Sequence, residues 1–319
     1  HPNEFFFFFF KIYAHGRDPY FPPWTDTIQI NAFSSEARKK AINTLLSIAE
    51  LCDGVRCDMA MLMINKIFKK TWDEKVGEPP KKEFWEEVIP AVKEKHPQFK
   101  FFAEAYWGTE WKLQQQGFDF CYDKILYERL LNDNAPSIKG HLRAEWEYQK
   151  KLMRFIENHD EERAITAFGK EKSKAASILN CTLPGARLIH YGQMLGHKIK
   201  VPVQLARAPE EEDDQELMEF YLRLLNSIPD RDLGKDNWKL SELTPAGEDN
   251  DSFKSLISYI WKKEMEYKLI VVNYSSSSAQ GNVKLDNLNL TGDITFSDLL
   301  NQKVYTDRKS TRLNSSHYS

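Results

Sequence analysis

The sequence predicts an α/β protein with a parallel sheet, followed by a small antiparallel β domain. Short apolar segments alternate with amphipathic helical segments from residue 34 to about residue 235, and this rhythm is typical of strands joined by helical crossovers. Past that point the pattern changes to paired strands without long helices. The 319 residues are 41% hydrophobic, which suits one large domain and a small one. We therefore predict domains at 1–235 and 236–306.

The N-terminal part is predicted to begin with an irregular loop region over residues 1–33, which is rich in proline, aromatic and polar residues. The first helix covers SEARKKAINTLLSIAEL, where four apolar residues share one face and a serine is available as the cap. The strand candidate DGVRCDMA follows, and helices are expected over 61–70 and in KKEFWEEVIPAVKEKH, the latter interrupted by Pro90. Residues 99–105 read as the next buried strand.

The same alternation continues to residue 235. Strands are predicted in FDFCYD, KLMRFIENHD and GARLIHYG, and helices in DKILYERLL, ERAITAFGKEKSKAASILNCT and DDQELMEFYLRLLNSI. Beyond residue 236, FKSLISYIWKKEMEYKLIVVNYSSSS predicts two antiparallel strands around a turn, and further strand-like segments extend to residue 305. This part is therefore predicted to be a small antiparallel β-sandwich.

Both ends of the chain look unlike natural protein. The chain opens on His1 and runs into six consecutive phenylalanines, and the tail DRKSTRLNSSH resembles the translation of a sequencing-adapter oligonucleotide. We treat residues 307–319 as an artefactual tail and expect the chain to be a fragment of a longer gene product. The phenylalanine run is too short to span a bilayer.

The composition argues against several classes of partner. The net charge of −3 shows neither a strongly basic nor a strongly acidic balance, so no nucleic-acid or membrane partner is predicted. The four cysteines, Cys52, Cys57, Cys121 and Cys181, lie among apolar residues without metal-ligand spacing. We predict buried free thiols rather than disulfides or a metal site, which favours a reducing compartment such as the cytoplasm.

Charged residues stand at the ends of three predicted strands. DGVRCD ends at Asp58, FKFFAE ends at Glu104, and MRFIENHD ends at His159 and Asp160. Charges in such apolar surroundings belong either to a structural ion-pair network or to a working site. Because the carboxyl ends of parallel strands form one rim where active sites lie, three carboxylates there favour a working site.

These segments resemble a known family. DGVRCD, FAEAYW and FIENHD resemble, in order, three of the four conserved regions of the α-amylase family of glycoside hydrolases (family 13). PPWTDTIQIN and GQMLGHKIKVPVQL also resemble that family. The resemblance implies a partial (β/α)8 TIM barrel, strands four to eight, with strands one to three upstream of His1. Such an open barrel exposes strand edges, so the fragment alone is expected to be insoluble or molten, and inactive.

The resemblance also implies roles for the charged residues. Asp58 would be the nucleophile, Glu104 the general acid and base, and Asp160 the third carboxylate, which grips sugar hydroxyls, while His159 hydrogen-bonds the sugar. Arg56 lies two residues before Asp58, so it points to the same face of the strand and can hold Asp58 ionised. The apolar neighbours of Glu104 predict a raised pKa, as an acid requires, and helix capping is the alternative role.

Other positions keep two interpretations. Tyr106 and Trp107 are candidates for stacking on glucose rings or for the core, and Trp24 for stacking or for anchoring its loop. Asp53 is expected at the opposite rim, as a turn residue.

The sequence departs from the family at Met61 and Leu62, where many members have a lysine and a histidine. The histidine carbonyl helps to bind calcium in those members, so a calcium site is left open and no other metal or cofactor is predicted. The expected substrates are starch-like α-glucans or maltooligosaccharides. The alternatives are a transglycosylase, a disaccharide-specific enzyme, or a non-catalytic glucan-binding homologue.

Overall fold

The computed structural model describes residues 5–8, 11–203, 207, 209–228, 237–264, 266–285, 288 and 294–307. The chain divides into two compact units, His1–Tyr122 and Asp123–Ser319, which are described in turn. The predicted domain boundary near residue 235 falls outside the described residues and stays a prediction. Asp307 ends a strand, and the rest of the predicted artefactual tail also lies outside the described residues.

The first unit begins with two short antiparallel strands, Phe5–Phe8 and Lys11–Ala14, in a register that pairs Phe5 with Ala14. The prediction of an irregular region is wrong for these strands, because runs of aromatic residues favour extended backbone. Residues 15–33 are irregular as predicted, apart from an antiparallel bridge between Gly16 and Trp24.

Three parallel strands form the centre of the first unit: Gly54–Cys57, Lys100–Ala103 and Phe120–Tyr122, in that order. The register of the first two pairs Cys57 with Ala103. The Glu104 N–H continues the ladder by donating to the Cys57 carbonyl at 3.1 Å. Asp58 and Glu104 therefore follow the ends of neighbouring strands.

Helices pack on these strands at Ser35–Ala49, Asn65–Trp72, Phe84–Lys95 and Glu110–Gln115. The Ser34 hydroxyl caps the first by accepting from the Ala37 N–H, as predicted. Pro90 lies inside the continuous helix Phe84–Lys95, so the predicted interruption is wrong. Proline removes one backbone hydrogen bond, but the buried face of this helix, which includes Trp85 and Val88, packs into the core and outweighs that loss.

The second unit contains two short parallel strands, Leu152–Arg154 and Ala186–Arg187. Its α-helices are Lys124–Asn132, Ala135–Leu142, Trp146–Gln149, Ala164–Phe168, Lys170–Thr182 and Gln215–Asn226. A single helix was predicted over the fourth and fifth of these, but Gly169, with φ 73°, separates them because left-handed backbone ends a helix. Within the described ranges, no helix is long and apolar enough to cross a membrane.

The C-terminal strands are antiparallel. Trp238–Leu240, Leu256–Lys263 and Glu266–Asn273 form one sheet, Leu243–Pro245 pairs with Gly281–Val283, and Ile294–Asp298 pairs with Lys303–Asp307. Ile260, Val283 and Leu285 form a core cluster against which Leu243 and Phe296 pack. Because these residues come from all three sheets, the sheets bury a common apolar face. The predicted order, α/β followed by an antiparallel β-sandwich, is confirmed.

All four cysteines are free thiols, as predicted. Cys121 and Cys181 are buried and Cys57 is half-buried, and burial raises the pKa of the Cys57 thiol to about 12. The predicted burial is wrong for Cys52, which is exposed in the turn after helix Ser35–Ala49.

Candidate active site

Arg56 contacts both carboxylates of the first unit. Its Nη1 donates to Asp58 Oδ1 at 2.5 Å, and its Nη2 lies 3.0 Å from Glu104 Oε1. The same guanidinium donates from Nε to the Tyr122 hydroxyl at 3.2 Å and lies 5.7 Å from the centre of that ring. Tyr122 ends the third strand, so one arginine joins side chains from three neighbouring strand ends. The two carboxylates therefore lie close enough to share a single cation.

Glu104 is almost fully buried, with 3% of its surface exposed. Burial raises the pKa of its carboxyl group, as the sequence predicted, and the charge of Asp58 adds to this effect. A hydrogen bond from the Met59 N–H to Oε2 (2.6 Å), the charge of Arg56, and a bond from the Tyr106 hydroxyl to Oε1 (2.9 Å) act in the opposite direction. The carboxyl group is thus desolvated and held in one orientation.

Helix capping, the alternative role for Glu104, involves only one of its two carboxylate oxygens. Met59 precedes the 3-10 helix Ala60–Met63, so Oε2 bonds the N–H at the start of that helix. Oε1 faces Arg56 and Tyr106 instead. Met59 has φ 43°, in the left-handed region that disfavours residues with a side chain. The strained turn directs its N–H at the carboxylate.

Asp58 is exposed, with 74% of its side chain accessible, so the interior position inferred from its apolar neighbours is wrong. The reason is that the strand ends at Cys57 and Asp58 is the first residue beyond it. Asp53 is exposed at the start of the same strand, where its carbonyl accepts from the Lys100 N–H. It lies at the opposite strand end, as expected.

The aromatic candidates differ in their contacts. Tyr106 is half-buried and its hydroxyl bonds Glu104, which favours a positioning role over sugar stacking. Trp107 is 41% exposed and adopts φ 61°. Trp24 is half-buried, and its backbone bonds Gly16 and Thr27, which supports the loop-anchoring interpretation.

His159 and Asp160 lie in the second unit, in the loop after strand Leu152–Arg154. His159 Nε2 lies 3.0 Å from Asp160 Oδ2. The backbone N–H groups of Asp160 and Glu161 donate to Asn158 Oδ1 at 2.9 and 3.0 Å, and Asn158 is buried. The loop is thus fixed by the side chain of the buried Asn158. The predicted convergence of Asp160 with Asp58 and Glu104 stays a prediction.

A buried ionic cluster behind this loop was missed by the sequence analysis. Glu157 Oε1 lies 2.8 Å from Arg163 Nη1 and 3.0 Å from His190 Nδ1, and Glu157 Oε2 accepts from the Ala164 N–H at 2.7 Å. These contacts hold the two ends of the loop that carries His159. The available signal was an acidic residue within the apolar segment RFIEN.

Met61, one of the two positions at which the sequence departs from the family that it resembles, is fully buried in the core. Among the described residues, no three His, Cys, Asp or Glu side chains are grouped so as to hold a metal ion.

The chain is similar in sequence to curated α-amylases. No protein-family profile matches the chain. It is 28% identical over 183 residues to the α-amylase MalA of Haloarcula japonica, an alignment that covers 55% of this chain and 25% of that amylase. The chain thus matches only about a quarter of the length of that curated relative.

Solved structures share the fold over most of the chain. A maltogenic α-amylase, AmyB of Thermotoga neapolitana, superposes with a TM-score of 0.67 at 19% identity, covering 93% of this chain and 68% of that one. A debranching enzyme of Nostoc punctiforme gives a TM-score of 0.64 at 19% identity, covering 96% and 67%. These similarities confirm the predicted fold class. In sequence and in fold the chain resembles the α-amylase family of glycoside hydrolases, as its motifs predicted.

Proposed function

We propose that the protein carrying this chain is a retaining glycosidase that acts on α-glucosidic bonds of starch-like glucans or maltooligosaccharides. The observation that carries the proposal is the shared cation: Arg56 contacts Asp58 and the buried Glu104 at the ends of two neighbouring strands. A pair of carboxyl groups in different environments is what glycoside hydrolysis requires. The similarity to named amylases supports the substrate class.

Each carboxyl group has a distinct proposed task. Asp58, exposed and paired with Arg56, attacks the anomeric carbon to form a covalent glycosyl intermediate. Glu104 protonates the leaving glycosidic oxygen, and burial supports this role because it favours the protonated form. In the second step Glu104 accepts a proton from water, which then displaces Asp58 from the sugar.

His159 and Asp160 are proposed to bind sugar hydroxyls, and Asp160 to stabilise positive charge on the sugar ring in the transition state. Their loop is held by Asn158 and by the pair of Glu157 with Arg163. A rigid loop keeps a binding group in place without an ordering cost when substrate arrives.

The test uses the full-length protein that carries this sequence, assayed on maltohexaose. NMR of the first product should show retained α-configuration, and Glu104→Gln should lose about 10²–10⁴ in rate, the range of general acid catalysis. A loss below tenfold, or inverted product, contradicts the assignment of Glu104 and Asp58. The 319-residue chain alone is proposed to be inactive, because it matches only about 25% of the length of its curated relative.

A transglycosylase or a disaccharide-specific enzyme is the second candidate, favoured by the replacement of the family's lysine by the buried Met61. Product analysis separates the candidates. A hydrolase yields reducing sugars in proportion to the bonds cleaved, a transglycosylase yields longer chains, and a disaccharide-specific enzyme leaves maltohexaose intact. Binding of maltohexaose without turnover of any of these substrates supports a glucan-binding homologue instead.

A further inference from the structure

We propose that Trp107 and Tyr20 form an aromatic corner that binds the sugar ring of the leaving group, next to Glu104. The inference rests on the proposed function and extends it, because Tyr20 belongs to the irregular region 15–33 and not to the three motifs. Both residues lie in the first unit, as does Glu104.

Trp107 has a backbone conformation and a solvent exposure that are both unfavourable for a tryptophan. It follows Glu104 by three residues, adopts φ 61°, and leaves 41% of its surface in contact with solvent. Left-handed backbone and an exposed indole both oppose folding, so packing alone does not account for this conformation. Residues with a strained backbone conformation of this kind concentrate at active sites and ligand-binding sites.

Tyr20 completes the corner. Its ring centre lies 4.9 Å from that of Trp107, at an interplanar angle of 72°, and 58% of its surface is exposed. Because the two rings meet edge to face, each keeps a face that the other does not cover. Two faces at nearly a right angle form a corner in which an apolar sugar face can rest on one ring while the sugar edge meets the other.

The corner is fixed before any ligand binds. Asp18 is buried, and its Oδ1 accepts from the N–H groups of Tyr20 (2.6 Å) and Phe21 (2.9 Å), which sets the turn that presents Tyr20. Lys70 donates from Nζ to the Tyr20 hydroxyl at 3.1 Å and lies 4.4 Å from the ring centre. A preorganised corner costs little entropy on binding.

A pyranose fits this corner better than other ligand classes do. Its C–H groups carry partial positive charge that suits the negative faces of aromatic rings. Its hydroxyls suit a donor such as the Lys70 ammonium. Because Trp107 follows Glu104, the proton donor to the leaving oxygen, we assign the corner to the sugar on the leaving-group side of the bond.

The experiment compares two substrates in the full-length protein: maltohexaose, whose leaving group is a sugar, and α-maltosyl fluoride, whose leaving group is fluoride. Trp107→Gly removes the indole and suits the left-handed backbone at the same time. We expect kcat/KM for maltohexaose to fall about tenfold or more, and that for α-maltosyl fluoride to change less than about twofold.

Matched variants separate stacking from folding. Tyr20→Ala should reproduce the selective loss, whereas Tyr20→Phe, which keeps the ring and loses only the bond to Lys70, should retain most of the activity. The thermal midpoint of Trp107→Gly should stay close to that of the parent protein, because the substitution relieves backbone strain. Equal losses on both substrates, or no loss on maltohexaose, overturn the proposal.

Failure of the proposed function gives a different result. If the unmodified protein cleaves neither substrate, the glycosidase assignment fails, and calorimetric titration with maltohexaose decides the corner by itself. Weaker binding by Trp107→Gly and Tyr20→Ala than by the parent then supports the corner. Equal binding by all three proteins, or no binding by any, overturns it.

Discussion

Replacing Arg56 by methionine removes the cation that Asp58 and Glu104 share. Methionine keeps most of the apolar stem, so the change acts mainly on charge. Losing one partner of a buried ion pair costs about 3–5 kcal/mol, whereas a pair with an exposed carboxylate contributes about 0–1 kcal/mol. Glu104 is 3% exposed and the Asp58 side chain 74% exposed. We therefore expect Arg56→Met to cost about 3 kcal/mol near neutral pH, nearly all of it through Glu104.

The cost should depend on pH in a defined direction. The pKa of Glu104 is already raised in the folded protein, mainly by burial, and loss of the Arg56 charge raises it further. The folded state then holds its proton at pH values where the unfolded chain has released it, so stability falls as pH rises above about 4.5. The penalty of Arg56→Met should be small near pH 4 and large near pH 7.5.

Urea unfolding of the full-length protein measures this penalty. The free energy of unfolding falls by about 1–3 kcal/mol per M of urea. A loss of about 3 kcal/mol therefore lowers the urea concentration at the unfolding midpoint by about 1 M or more near pH 7.5. Arg223→Met is the control, because Arg223 Nη1 lies 3.7 Å from Glu219 Oε2 in a solvent-exposed ion pair on one helix. This control substitution should change the free energy of unfolding by less than about 0.5 kcal/mol. An equal loss at both pH values would show that Glu104 does not depend on the Arg56 charge.

Further predictions concern the proton donor and one strand junction. Tyr106→Phe removes a hydrogen bond that lowers the pKa of Glu104, so that pKa should rise. The basic limb of the pH profile of kcat/KM on maltohexaose should therefore move to higher pH. An unchanged basic limb would show that the Tyr106 hydroxyl does not affect the pKa of Glu104. Gly185 has φ 97°, and a Cβ added there by Gly185→Ala would lie about 2.2 Å from the Leu152 carbonyl oxygen. The control is Gly77→Ala, because Gly77 has a similar φ of 75° but a Cβ there would meet no atom within 4 Å. Gly185→Ala should destabilise the protein by about 1–3 kcal/mol more than Gly77→Ala. Chemical denaturation of both variants measures the difference, and equal losses contradict the close packing at Gly185.

The features that the sequence predicted are those determined locally. The cap at Ser34, the helix after it, and carboxylates directly after apolar strands are visible as patterns within a few residues. The detailed environment of Glu104 was not predictable, because Met59 bonds it across 45 positions in the chain and the guanidinium of Arg56 reaches it from a neighbouring strand. Such contacts depend on which strands pair and in which register.

Pro90 and Glu157 show two further limits. A proline is expected to end a helix, but tertiary packing of the buried face of Phe84–Lys95 overrides that local preference. Glu157 reads as part of a strand end, and its role emerges only when His190, 33 positions later, lies beside it. Local patterns thus located the candidate carboxylates, and tertiary structure determines the contacts that tune them.

The shared guanidinium makes Asp58 and Glu104 thermodynamically inseparable. The charge of Asp58 helps to raise the pKa of Glu104, so Asp58→Asn removes that repulsion and also leaves more of the Arg56 charge for Glu104. Both effects lower the proton affinity of Glu104. Rate losses from single variants at these positions are therefore not additive, and a double-mutant cycle should give a coupling energy well above zero. Any engineered change to Asp58 therefore alters the acidity of Glu104, so the two carboxylates have to be redesigned together with Arg56.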